Sequence, residues 1–159
     1  MSIVVRYSER LELNLVEYSG EITLPQLHAL AAYGARHPVF LRADALNVVR
    51  PDANFSVDFA VLDALFARYQ ELYARLQFQI YRRSAWICLS AAAEGHIVHW
   101  TGANDMREAL SSNVRMFASF AEAADWLMLS PAELAQVERG EGFSELALFD
   151  ATADISLRR

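Results

Sequence analysis

The stretch MFASFAEAADWL, residues 116–127, carries three signals in succession. An apolar run ends at Phe117. Ser119 is followed three residues later by Glu122, and apolar residues then recur as far as Trp126 and Leu127. A buried strand running into a serine-capped helix has this pattern. A chain that repeats the unit has few folds open to it. Strands that alternate with helices are joined by crossovers, which build a largely parallel sheet covered by helices.

The unit does recur. SIVVRY and LELNLVEY are β-rich runs joined through Ser8, Glu9 and Arg10, which predicts a hairpin. Leu11, Leu13 and Leu15 alternate with Glu12 and Asn14, the pattern of a strand with one wet face. Gly20 breaks that strand. Thr23 and Gln26 form a capping box, Pro25 is tolerated in the first turn, and Leu24, Leu27, Leu30 and Ala31 share a helical face. Gly34 and Pro38 predict the end of this helix near residue 36. VFLRADAL, 39–46, reads as a short strand and NVVRPDANFS as a loop. The helix predicted from Ser56 to about Gln77 is the strongest of all. Phe59, Leu62, Phe66, Tyr69, Tyr73 and Leu76 recur at spacings of three and four. SAWICLS, 84–90, is a buried strand, residues 91–112 a helical segment broken at Gly95 and Gly102, and NVRMF the next strand. Ser130 and Glu133 form another capping box, with Pro131 in the first turn.

The predicted fold is therefore α/β, with a single-layer, mixed, mostly parallel sheet of about five strands covered by helices. The order is ββαβαβαβα, then a C-terminal helix and tail. Residues 1–140 form the domain. Residues 141–159, with Phe143, Leu146, Leu148 and Phe149, are too apolar to leave in water and must dock on the domain or on a partner protomer.

Composition removes several functions. The net charge of −6 disfavours nucleic acid and anionic membrane surfaces as partners. All fourteen basic residues are arginine, so neither a lysine Schiff base nor a phosphate-loop lysine is available. The single cysteine, Cys88, sits among apolar neighbours and reads as a packed thiol in a reducing cytoplasm. Arg6 comes too early for a signal peptide, and no apolar run is long enough to insert in a bilayer. The hydrophobic fraction of 54% predicts either a richly buried sheet or a self-associating surface.

Four stretches together resemble the STAS-type domains, a group that includes anti-sigma-factor antagonists, the cytoplasmic domains of sulfate transporters and looser bacterial relatives. They are YSGEIT before the first helix, VFLRADAL, the long helix after it, and VRMFASFAEAADWL. The likeness spans roughly residues 11–128. It implies a non-enzymatic bacterial regulatory or protein-interaction role. Phospho-switched members carry an Asp-Ser-Ser-Gly-like turn where this chain has VVRPDANFSVDF. Ser56 is the only hydroxyl there, and no regulatory phosphorylation is expected on it.

Ligands of parallel sheets gather beyond the carboxyl ends of the strands, where helix N-termini point. That rim is expected to include Asn47, Arg50, Asp52, Ser56, Ser90 and Ser119. The alternative is that Asp52 and Ser56 only cap and turn the chain. Phe59, Phe66, Tyr69 and Tyr73, with Phe143, Leu146 and Phe149 of the tail, are the expected interface of a homodimer. The competing reading is a small-molecule or lipid-like ligand in an apolar pocket near the 57–77 helix. His96 and His99 are spaced i, i+3, with Glu94 and Asp105 as possible oxygen ligands, but a full metal set is not apparent. No catalytic motif, cofactor or metal is expected.

Overall fold

In the computed structural model the described residues are 2–74, 82–102 and 113–150. Strands β1 (Ser2–Ser8) and β2 (Leu13–Ser19) form the predicted antiparallel hairpin. Two-residue strands β3 (Glu21–Ile22) and β5 (Asn54–Phe55) pair with each other. The main sheet continues through β4 (Asp44–Val49), β6 (Arg83–Cys88), β7 (Asn113–Phe117) and β8 (Ser144–Asp150). Its six strands lie in the order β7-β6-β4-β2-β1-β8, with β2, β4, β6 and β7 parallel. Helices are α1 (Leu24–Arg36), α2 (Pro38–Arg42), α3 (Phe59–Tyr73), α4 (Glu94–Gly102), α5 (Phe120–Trp126) and α6 (Pro131–Arg139). The mixed, largely parallel α/β sheet is compatible with STAS-like and Rossmann-like architectures.

This topology determines which face each helix covers. From β2 the chain steps outward one strand at a time to β4, β6 and β7. Successive crossovers of one hand and one direction stay on one side of a sheet. Helices α1, α3 and α4 accordingly share a core with Val16, Tyr18 and Trp86. After β7 the chain returns across the sheet to reach β8, and α5 and α6 cover the other face. There Ala123, Leu127 and Val137 pack on Leu13, Leu15, Leu46 and Ile87.

Coverage on both faces overturns one expectation. β2 has no wet face: Asn14 and Tyr18 are as buried as Leu13 and Leu15. Asn14 Nδ2 donates to the Phe40 carbonyl at 2.9 Å, while its buried Oδ1 has no hydrogen-bond partner. Of residues 39–46, expected as a strand, only 44–46 belong to one. Pro38 occupies the first turn of α2, Phe40 and Leu41 are buried from that helix, and β4 starts only at Asp44. Likewise α3 starts at Phe59 rather than Ser56, because the carboxylate of Asp58 accepts from Val61 N at 2.8 Å. The expected end of that helix near Gln77 lies outside the described residues. Gly95 does not interrupt α4, which runs from Glu94 to Gly102.

Other local signals act much as read. Gln26 Oε1 accepts from Thr23 N at 2.8 Å at the start of α1. Ser130 and Glu133 exchange both bonds of their box at α6. Ser119 caps α5, but the Glu122 carboxylate reaches back one residue further, to Ala118 N. Gly34 lies within α1 because a Cβ there would stand 2.8 Å from the Tyr73 hydroxyl. The tail from Ser144 is a strand of the main sheet, antiparallel to β1, with Phe149 buried against α1. Gln26 Nε2 also donates to the Phe149 carbonyl at 3.1 Å, tying the first helix to the last strand.

Candidate functional site

Side chains alternate in direction along a strand, so adjacent arginines at the start of β6 must part company. Arg83 turns to the α5 face with Ala85 and Ile87. It pairs with Asp44 at 2.6 Å and donates to the Trp126 carbonyl at 2.8 Å. Arg82 shares the parity of Ser84 and Trp86 and turns to the α3 face. There it lines a small, partly open cavity of about 50 Å³ between sheet and helices. Asn47, Tyr69, Tyr73 and Trp100 also line it.

The environment of Arg82 is unusual for a cation. Its Nη1 donates to the Phe40 carbonyl at 3.3 Å, and the guanidinium carbon lies 5.6 Å from the centre of the Phe40 ring. The residue as a whole is partly exposed, yet Nε has no solvent contact and no hydrogen-bond partner. Among the described residues Asp44 is the only carboxylate with a distinct electrostatic effect on Arg82, and it is committed to Arg83 through both oxygens. Burial dominates and pushes the Arg82 pKa below its ordinary value. Burial also pushes the hydroxyls of Tyr18, Tyr69 and Tyr73 up, so near neutral pH they supply no negative charge. Tyr73 donates to the Ala31 carbonyl at 3.2 Å. The cavity therefore joins the solvent-excluded Nε of a partly exposed arginine, neutral hydroxyls and an aromatic wall in which Trp86 lies 5.3 Å from both Tyr18 and Trp100.

The residues expected at the strand rim do not converge. Asn47 belongs to the cavity instead, because it lies within β4 rather than beyond it; its Nδ2 donates to Ser84 Oγ at 3.0 Å and the Ala85 carbonyl at 3.2 Å. Arg50 and Arg6 both pair with Glu17. Together these three line a separate groove of about 280 Å³ beside α6. Asp52 is an exposed turn residue, and Ser56 donates to Glu21 rather than capping α3. Ser90 is buried and structural, donating to the Ala53 carbonyl at 2.5 Å and accepting from Ala93 N.

Of the seven expected interface residues, Phe66, Tyr69, Tyr73 and Phe149 lie in the core of their own chain. Phe143 is partly buried against the second core. Phe59 and Leu146 remain 46% and 45% exposed. The two histidines face different partners: His96 Nε2 lies 2.7 Å from the Val57 carbonyl and His99 Nε2 2.7 Å from Asp63. Among the described residues no group of three or more His, Cys, Asp or Glu side chains could hold a metal, and Asp105 lies outside them. Cys88 is half-buried, and burial, more than any other cause, holds its thiol above the usual pKa. Among the described residues no helix is long and apolar enough to cross a membrane.

The RRSAWIC parity was the sequence signal for Arg82, since it commits one of two adjacent arginines to the face carrying Trp86. What it could not supply was the absence, among the described residues, of a free carboxylate near Arg82. Comparison with known proteins finds no matching family model, no matching curated protein and no matching solved structure.

Proposed function

We propose that this domain binds a small molecule in the cavity beneath α3, and that it acts by binding rather than by catalysis. The observation that carries the reading is the Nε of Arg82, which is closed off from solvent and has no hydrogen-bond partner, although the side chain as a whole is partly exposed. The described lining adds hydrogen-bonding groups but no carboxylate, histidine or cysteine to serve as base or nucleophile. A volume of about 50 Å³ suits a few atoms rather than a lipid or a drug-sized ligand, which takes roughly 300–1,000 Å³. A STAS-like bacterial regulatory role in the cytoplasm, with ligand occupancy altering protein contacts, is part of the same proposal.

Indole nitrogen–proton NMR signals test it. Trp86 and Trp100 line the cavity, whereas Trp126 lies on the opposite face and serves as an internal control. Small molecules extracted from the natively produced protein should shift the first two signals and leave the third in place. Equal shifts in all three, or none, would remove the cavity as the binding site.

A homodimer is the second reading, favoured by the outer strand β8. Leu146 and Leu148 are 45% and 48% exposed there, on a strand whose far edge faces no other strand among the described residues. A second copy is the occupant we propose, since antiparallel pairing of identical edges is self-complementary. Sedimentation at micromolar concentration should give a dimer for the native chain and a folded monomer for the Leu146→Glu, Leu148→Glu double variant. A native monomer refutes this reading.

A further inference from the structure

We infer that the cavity's ligand is a small carboxylate monoanion held by the Nε edge of Arg82. The inference rests on the reading of this cavity as a binding site and adds the ligand's chemistry.

Charge comes first. A lone cation removed from water is strongly penalised unless an anion meets it. Among the described residues Arg82 has no such partner, since Asp44 is taken by Arg83. A neutral guest would leave the charge beside the buried Nε uncompensated, and a dianion would leave one negative charge in excess. A monoanion cancels it. Shape comes second. Nη1 is turned to Phe40, which leaves the side of the planar guanidinium that carries Nε. The spacing of its donors matches the two oxygens of a carboxylate. Size comes third. At roughly 10–15 Å³ of such volume for each water-sized group, the cavity takes about three to five non-hydrogen atoms. Formate, acetate and propionate fall in that range. Their apolar ends would meet Trp86, Trp100 and Leu30, which line the same space.

The same head group could come from a free short acid or from the tip of a longer chain. Thermal unfolding of the full chain distinguishes these sources when sodium acetate, sodium octanoate, acetamide and sodium chloride are compared at equal concentration and, for the salts, equal ionic strength. Acetate is expected to raise Tm by about 3 °C or more over chloride, while shifting the Trp86 and Trp100 indole signals. A larger rise in octanoate assigns the site to the head of a longer chain; no rise in octanoate assigns it to the free acid. Both keep the carboxylate.

Arg82→Met should abolish the acetate response. It should also melt above the native protein in chloride, because it removes a buried donor that has no acceptor, together with its charge, while Phe40's carbonyl keeps its bond from Asn14. Arg82→Gln, which keeps polarity without charge, should lose the acetate response too. This second variant decides the question if the methionine variant fails to fold. An acetate response that survives in a folded Arg82 variant overturns the inference. Acetamide moving the two indoles while acetate does not would overturn the carboxylate assignment but leave the binding site standing. If no compound moves them, the site itself is refuted.

Discussion

Trp86→Ala is expected to lower the unfolding free energy by about 3–5 kcal/mol, the usual cost of truncating a buried tryptophan. Trp86 lies on β6, an inner strand, and is only 3% exposed. Its ring stacks on Tyr18 and meets Trp100, so it couples the sheet to α4 across the cavity. Alanine would merge the space left by the indole with a cavity that already exists, so the surroundings cannot easily close around it. Much of the loss is then retained rather than recovered by relaxation. Against a typical total of about 5–15 kcal/mol, such a variant stands near its folding threshold. Urea unfolding followed by circular dichroism measures the change. A loss below about 1.5 kcal/mol would mean that this wall collapses freely and that the aromatic cluster does not hold the cavity open.

The second large effect is expected from the C-terminal strand. A chain ending at Gly142 should lose cooperative unfolding altogether, with a chain ending at Asp150 as its control. β8 pairs with β1 from Ser2 opposite Asp150 to Tyr7 opposite Ser144. Each ladder hydrogen bond contributes about 0.5–1.5 kcal/mol net, and burying Phe149 adds about 1.5–3 kcal/mol. Truncation would also leave β1 as an unprotected edge and Gln26 without its Phe149 acceptor. Together these losses rival the stability of an ordinary domain. Thermal melts monitored in the far and near ultraviolet are the measurement. A shortened chain that melts cooperatively within about 5 °C of the control would make β8 an accessory strand.

Much of the fold was legible because its signals are local. Thr23 with Gln26, and Ser130 with Glu133, satisfy backbone donors a few residues away, so their spacing alone predicts helix starts. The spacing of Leu62, Phe66, Tyr69 and Tyr73 likewise revealed the buried stripe of α3. Alternation of strands with helices sufficed for a parallel core. Boundaries were harder. Ser56 and Asp58 are both competent caps, and only the geometry of the turn selects Asp58.

The sequence by itself thus determined the order of elements, the α/β class and the apolar face of the long helix. Each follows from contacts within a turn or from a regular period. Tertiary structure decided what depends on residues far apart in the chain. Asn14 and Asn47 are buried because helices cover both sheet faces, which no single strand's period can reveal. The tail became a strand because β1, more than a hundred residues earlier, offered a free edge. Arg82 and Arg83 are neighbours of equal charge, and parity separates them to opposite faces. Only the packed fold gives Arg83 the carboxylate of Asp44 and leaves Arg82 Nε without an acceptor, because electrostatic partnership depends on distance in space and not on position in the sequence.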